Sequence, residues 1–572
     1  MLRIRRLGVV PYAEARLLQQ AVATRSDDDY LLVLEHPHVF TLGVRADPAH
    51  VLTDPATVGA TLERTDRGGD VTYHGPGQLV VYPIVDVDVG PGGAPAHVRR
   101  VEDVVIGALC DLGLDRLAGG VGRLAGYPGV WVGVDGPQPR KVAAVGVRTV
   151  RTDPGRRRSL HGVAINVDCD LAMFGHIVPC GIPDRPVTSL LAEGLAVPID
   201  AVAEAVIARA VAAWSTPRTD ESQRATSPSA PVVPAPAAAP PPPDRAPVAL
   251  GPTRSPGRPG DPDEPAAYRR LRRAGVDPDA GVPIGDRKPP WLRVPATMGA
   301  GYLALGRTVH DLGLATVCEE AGCPNIYECW SDGTATFMIN GSRCTRACGF
   351  CLVDTRRPLP LDPSEPERVA EAVERMGLGH AVITCVARDD LPDGGASAMA
   401  ATVAAIRARR PSTTVEVLIS DCKGDEDALA MIFDARPDVL NHNLETVLRL
   451  QRAVRPSAAY ARSLGVLARA ADRGLVVKSG LMVGLGETEP EVRGALADLR
   501  AVGVSIVTIG QYLRPSRDHL PVARWWTPAE LDRLGAEGLA LGLRHVEASP
   551  LTRSSYHARQ AAASAGAVPS PV

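Results

Sequence analysis

Apolar residues recur at two different spacings along the chain, and the change of spacing divides it. In the first block MLRIRRLGVV reads as a strand, YAEARLLQQAVATR carries apolar residues at helical spacing, and LLVLEH is a continuous apolar strand. QLVVYPI, RKVAAVGVR and HGVAINVD follow as further strands, with TDPGRRRS as an exposed turn between the last two, and a helix over Ile199–Trp214 closes the block at residue 215. Residues 216–265 then lose periodicity: Pro, Ala, Ser and Thr dominate, as in PVVPAPAAAPPPPDRAP. Such a segment cannot bury enough apolar surface to fold, so it is expected to be a disordered linker, with a Pro-rich recognition motif as the alternative. A reach of ~150 Å extended or ~40 Å as a coil would let the flanking halves share a tethered substrate without a fixed interface.

Beyond the linker, residues 266–333 lead into a different rhythm. From 334 to 558 the chain alternates short strands (TATFMIN, HAVITCV, TTVEVLI, DVLNHNLE, VVKSGLMVGLG, SIVTIGQYL) with amphipathic stretches, which indicates parallel βα units closing into a full or partial barrel. Polar and glycine residues gather where those strands end, at Cys344–Cys351, Gly394 and Gly395, Asn441–Glu445, Lys478 and Gln511, the face that carries active sites in βα barrels. Residues 559–572 are expected to be a disordered tail. Two bland features are expected to be structural: the Arg156–Arg158 run as a solvated patch, or a greeting for an acidic carrier protein, and Trp525 with Trp526 as packing.

Composition narrows the partners. A formal net charge of -3 gives no basic field for nucleic acid, and no apolar run reaches the ~18 residues a membrane span needs. Pro11 and Glu14 cut the opening apolar stretch short of a secretory signal. Six of the eleven cysteines lie in two compact triads, which points to a reducing, cytoplasmic location rather than disulfides. Only four of the 62 basic residues are lysines, Lys141, Lys288, Lys423 and Lys478, and lysine, unlike arginine, can give up its proton.

The densest chemistry is CTRACGFC, with Cys344, Cys348 and Cys351 spaced C-x3-C-x2-C. Three thiolates on one loop can hold three irons of a four-iron, four-sulfur cluster and leave the fourth open for chemistry. A structural zinc loop is the alternative, although no fourth ligand follows at zinc spacing. Cys318, Cys323 and Cys329 form a second triad, spaced C-x4-C-x5-C, and RSSYHA stands at 553–558. The first triad resembles the signature of radical S-adenosylmethionine enzymes, and both triads with the tail resemble lipoyl synthase, which inserts two sulfurs into an octanoyl chain. That resemblance implies two 4Fe-4S clusters and S-adenosyl-L-methionine. The first cluster would yield a 5′-deoxyadenosyl radical able to take hydrogen from unactivated carbon. The second would be the sulfur donor, capped by Ser555 or, alternatively, Ser554. Gly394 and Gly395 would meet the cofactor's methionine amino group, and Asn443, Glu445 and Lys478 are further cofactor candidates. The Gly484, Gly486 and Glu487 turn is either a cofactor contact or an ordinary strand-to-helix turn. Ala387 stands where the family carries an acid and Ser549 where it often carries glycine.

In the first block, Gly68, Gly69, Gly75 and Gly77 alternate with polar residues before a strand, which fits backbone pressed against a ligand. Cys180, in a Pro-Cys-Gly turn expected after an apolar strand, is the candidate nucleophile; Cys110 and Cys169 read as buried structural thiols. Lys141 could both lower that thiol's pKa and accept a proton. EHPHVFTLG, RGGDVTYHGPGQ, KVAAVGVR, HGVAINVD and PCG, in this order, resemble octanoyltransferases that load lipoyl-domain lysines. The resemblance implies an α+β fold like the catalytic core of biotin and lipoate protein ligases. The acyl and lysine groove would be lined by Arg67, Gly68, Gly69, Asp70, Val71, Thr72, Tyr73 and His74, with Ala144, Val145, Gly146, His161, Gly162 and Val163. An ATP-dependent ligase of the same fold is the rival. The implied partners are octanoyl-acyl carrier protein, lipoyl domains of 2-oxoacid dehydrogenase E2 subunits and the glycine cleavage H protein, and an electron donor such as ferredoxin or flavodoxin.

Overall fold

The computed structural model describes residues 1–153, 155–181, 185–215, 264–293, 299–331 and 335–566. The expected linker thus falls outside the described residues except for Glu264 and Pro265, as do the last six residues of the expected tail. Of Cys180 the backbone is described and the side chain is not.

The first half is built on a seven-stranded sheet whose central strands are Asp29–Glu35, Gln78–Ile84 and Arg156–Asn166; the first two, and the third from Leu160 on, are largely apolar. They are so because both faces are covered. Side chains alternate across the pleat: Leu32, Leu34, Val80 and Tyr82 pack against Ala15, Leu18 and Val22 of the helix Tyr12–Arg25. Their neighbours Leu31, Val33, Leu79 and Val81 pack against Val105 and Val206 of the helices Gly93–Asp111 and Ile199–Trp214. A three-stranded sheet, Val39–Leu42, Thr61–Arg64 and Val71–His74, carries a satellite core around Phe40, Tyr73 and Phe174.

Three local expectations change. The expected solvated arginine run includes Arg158, which is 0 % exposed. Its guanidinium donates to the carbonyls of Asp28 and Ile84 at 2.8 and 2.7 Å, because the start of one strand and the end of another leave acceptors there that burial would otherwise orphan. No strand precedes the Pro-Cys-Gly turn: the segment runs through short 3-10 turns at Leu171–His176 and Pro179–Gly181. Nor is the tail unstructured throughout, since Ala558–Ser564 is a helix whose Ala561 and Ala562 pack on Val439 and Ile506.

The second half is an open eight-stranded sheet. Seven strands, Thr336–Ile339, His380–Cys385, Thr414–Leu418, Val439–Asn441, Val476–Val483, Ile506–Gln511 and His545–Ala548, run parallel in chain order. A two-residue strand, Ala315–Thr316, adds antiparallel at one edge. The first and last strands of this sheet are not neighbours, so the barrel is partial. Trp526 is fully buried and donates its indole N–H to Glu487, the packing role expected of it.

The two halves are packed together, contrary to the expectation of no fixed interface. Helix Tyr12–Arg25 lies on the barrel helices Tyr460–Asp472 and Glu489–Ala501. All ten described cysteines are free thiols, and among the described residues no helix is long and apolar enough to cross a membrane.

Candidate active sites

In the first half the strand-end residues enclose a cavity of about 560 Å³. Of the expected groove residues, Arg67, Gly68, Gly69, Asp70, Thr72 and His74 line it from one side. Ala144, Val145, Gly146, His161, Gly162 and Val163 line it from the other. Val71 and Tyr73 do not: the two-residue period of the strand turns them into the satellite core, where both are 0 % exposed. Backbone closeness explains the glycines. A Cβ on Gly162 would lie 2.2 Å from the Val81 carbonyl oxygen, and Gly69 sits at φ 95°, a conformation that strains other residues.

The polar groups of this cavity are locked by neighbours. The Arg67 guanidinium donates to the Thr41 carbonyl at 2.6 Å and its hydroxyl at 2.8 Å. Burial drives the His74 imidazole well below its ordinary pKa, so it is neutral, with Nδ1 donating to Gln78 Oε1 at 2.7 Å. His161 adopts φ 60° and holds Asp66 at 2.8 Å; burial lowers its pKa, while the bond from His161 lowers that of Asp66 to about 2. Lys141 is 6 % exposed, on the cavity wall, with its ammonium 4.9 Å from the centre of the Trp131 ring. Gly181, next to Cys180, also lines the cavity, and Asp70 beside it bonds His50 Nδ1 at 2.7 Å. Sequence reasoning missed Tyr12, whose ring stacks on His74 at 6.0 Å and whose hydroxyl donates to Thr65 at 2.9 Å. No local pattern marks it, because it reaches the site from a helix more than fifty residues away.

In the second half the Cys344–Cys351 loop follows the strand Thr336–Ile339 and is fixed through its backbone: Cys344 N–H donates to Asp354 O at 2.8 Å, and His519 bonds Cys351 O at 2.9 Å. Ala387 serves the loop through its carbonyl, which accepts from the N–H and hydroxyl of Thr345, so the loss of an acid there costs this contact nothing. Arg346, inside the loop, bonds Asp389 at 2.7 Å and Asp421 at 2.6 Å. Gly394 and Gly395 both hold positive φ, 61° and 86°, and a Cβ on Gly395 would lie 2.3 Å from the Asn340 amide.

The C-terminal motif is brought to the second triad, Cys318, Cys323 and Cys329. Asn325, between Cys323 and Cys329, donates to Leu551 O at 2.7 Å, and Tyr556 donates to Glu328 at 3.2 Å. Asn443 bridges Ser554, at 2.6 Å, and Glu445, at 3.0 Å. The Ser554 hydroxyl oxygen thus accepts from the Asn443 amide. Through Asn443 the tail motif that reaches the second triad is also tied to Glu445.

The donor set fits iron–sulfur clusters. Burial pushes the Cys351 thiol up to about 12 and Cys318 up to about 11, and raises Cys323 and Cys348. Such thiols stay protonated until a soft metal takes them as thiolates. Among the described residues no three His, Cys, Asp or Glu side chains converge to hold a single metal ion, whereas a cubane spreads its ligands over separate irons.

Lys478 is instead closed off: it is 0 % exposed within the barrel, its ammonium 2.9 and 3.1 Å from the two oxygens of Glu416, which also accepts from Asn441. Lys478→Met leaves that carboxylate buried and unpaired, so unfolding by denaturant should show a loss of about 3–5 kcal/mol; unchanged stability would contradict the closed pair. Glu487 likewise closes its own turn, accepting from Leu485 N–H at 2.9 Å.

Comparison with known proteins gives two family matches. Residues 11–210 match the Lipoyl protein ligase A/B catalytic domain, and residues 338–499 match the Radical SAM superfamily. A lipoyl synthase from Rubrobacter xylanophilus is 58% identical over 275 residues, covering 48% of this chain and 86% of that protein. One from Mycobacterium avium is 55% identical over 298 residues, covering 51% and 96%, and one from Mycobacterium tuberculosis 55% over 293 residues, covering 51% and 94%.

Proposed function

Since the chain belongs through its second half to the lipoyl synthase family, and carries a lipoyl protein ligase A/B catalytic domain ahead of it, we propose that it builds the lipoyl group in two steps on one lysine. The chain is a bifunctional enzyme of lipoate assembly whose family uses S-adenosylmethionine and iron–sulfur clusters and acts on lipoyl-domain proteins. In our reading, domain 1–215 takes octanoyl from acyl carrier protein, and the barrel domain 334–558, with its extension 266–333, adds two sulfurs, in the cytoplasm. The lipoyl domains would be those of 2-oxoacid dehydrogenase E2 subunits and the glycine cleavage H protein, with a ferredoxin or flavodoxin as electron donor. The observation that carries the proposal is that one chain holds both an acyl-sized cavity, walled by Lys141 and Gly181, and a barrel whose tail motif is bonded to the second triad's segment and to Asn443.

In the first step the Cys180 thiolate attacks the carrier thioester, the carrier thiol leaves with a proton, and octanoyl becomes a Cys180 thioester. The cationic Lys141 favours that thiolate and gives its proton to the departing carrier sulfur; neutral from then on, it takes the proton of the lysine amine as the amide forms and Cys180 leaves as thiolate. Neutral His74 and the Asp66-held His161 position the chain ends without competing for that proton, and Val80, Val145 and Val163 give the acyl chain an apolar wall. Lys141→Arg keeps the cation and loses the acceptor. Octanoyl-enzyme should then accumulate, visible by mass, while transfer falls ~10²–10⁴-fold; native turnover would contradict the role.

In the second step a cluster held by Cys344, Cys348 and Cys351 supplies, when bound, the electron that splits S-adenosylmethionine and so generates a radical able to take hydrogen from unactivated carbon. Gly394 and Gly395 offer backbone to the cofactor's amino group, and Asn443 ties Glu445 to the tail motif. The second cluster is a substrate, the sulfur source, held by Cys318, Cys323, Cys329 and Ser555. Anaerobic reconstitution should load about eight irons with matching sulfide, four per cluster. Octanoyl transfer should need no ATP. Zinc without sulfide, or an ATP requirement, would overturn the reading.

A further inference from the structure

The contact between the halves is a built interface rather than an incidental touch. Asp498, on the barrel helix Glu489–Ala501, is 3 % exposed and accepts from three donors: Arg5 at 2.7 Å and Tyr30 at 3.3 Å from the first half, and Tyr460 at 2.8 Å from its own. Arg5 also donates to Gly494 O at 3.2 Å. Around this centre Leu7, Leu18, Val22 and Leu32 face Tyr460 and Leu464, and the space left among them is about 10 Å³, one water at most. The buried Asp498 carboxylate would be costly alone, and it gains Arg5, partly covered, and Tyr30 as donors only when both halves are in place.

A second set of charges leads from this seam to the chemistry. Glu14, on the helix Tyr12–Arg25, accepts from Arg462 at 2.7 Å; Arg462 lies 3.6 Å from Asp421; and Asp421 holds Arg346, within the Cys344–Cys351 loop, at 2.6 Å. Arg346 N–H in turn points to Cys344 Sγ at 3.4 Å. Tyr12, one half-turn before Glu14, stacks on His74 in the acyl cavity. One helix of the first half thus lines the acyl cavity with Tyr12 and, with Glu14, begins a chain of ion pairs that ends in the cysteine loop.

We propose that the partner of this face is the chain's own second half, and that the docked helix Tyr12–Arg25 braces the cysteine loop through Glu14, Arg462, Asp421 and Arg346. The docking stands on contacts that do not depend on which reactions the halves perform; the bracing rests on the radical reading of that loop. The linker then joins two parts that stay together without it.

The test is a full-length chain with a protease site placed within residues 216–263, reconstituted and nicked. The nicked native protein should co-elute as one species at micromolar concentration, with the electron paramagnetic resonance signature of its reduced cluster unchanged. Nicked Arg5→Ala and nicked Asp498→Ala, one variant on each side of the seam, should each separate, and their cluster signature should shift although neither residue touches the loop. Separation of the nicked native halves overturns the docking. Separation of the variants with an unaltered signature overturns the bracing and leaves the docking standing. Iron and sulfide content, measured alongside, shows whether a missing signature reflects an unloaded cluster, which would count against the radical reading instead.

Discussion

Cys180→Ala abolishes octanoyl transfer, with a fall of ~10⁴-fold or more, and leaves the sulfur-inserting half able to act on a lipoyl domain octanoylated beforehand. The size follows from the chemistry: without the thiolate no acyl-enzyme forms, and the remaining cavity offers binding and a base but no carrier for the acyl group. Gly181 and Lys141 on the same wall put the turn within the cavity rather than behind it. The rival ligase needs no thiol, so ATP-dependent transfer surviving in Cys180→Ala would replace the transferase reading outright. Transfer rates by gel shift or mass of the acceptor domain decide it, and a native rate on preloaded substrate rules out misfolding as the cause.

Cys344→Ala does the reverse. Sulfur insertion is lost entirely, to below detection, while octanoyl transfer stays native, because the acyl cavity draws no residue from the barrel. Loss should be complete rather than graded: a cluster with one protein ligand missing has no substitute donor in the loop, where Arg346 is a cation and the Thr345 hydroxyl is bonded to Ala387 O. The product accumulates as the octanoylated domain, and the deoxyadenosine formed from S-adenosylmethionine disappears with it. Residual sulfur insertion would mean that the triad does not hold the reactive iron.

These two variants sit at opposite ends of what the sequence reveals. The cysteine triads, the RGGDVTYHGPGQ stretch and the strand rhythm are contiguous, so their spacing reports chemistry and period directly. Within the groove stretch the same period misleads when ignored: Thr72 and His74 face the cavity, and Val71 and Tyr73 face the core. Other features depend on partners far along the chain. Lys478 reads as a functional lysine at a strand end until Glu416, 62 residues away, is seen to neutralise it. Arg158 reads as solvated until the carbonyls of Asp28 and Ile84 are found against it. The docking of the two halves is the extreme case, since Arg5 and Asp498 are 493 residues apart and nothing local marks either as buried. A long Pro/Ala-rich segment suggests independence by its composition, yet the burial of Asp498 among donors from both halves is a property of their surfaces and not of the connection.

The most direct test of the central claim, that one chain completes the lipoyl group, is the mass of an apo lipoyl domain after anaerobic incubation with reconstituted protein, octanoyl-acyl carrier protein, S-adenosylmethionine and a reductant. A gain matching octanoyl plus two sulfurs on a single lysine is the predicted result. A domain that stops at octanoyl despite a fully loaded enzyme, or gains nothing, contradicts it.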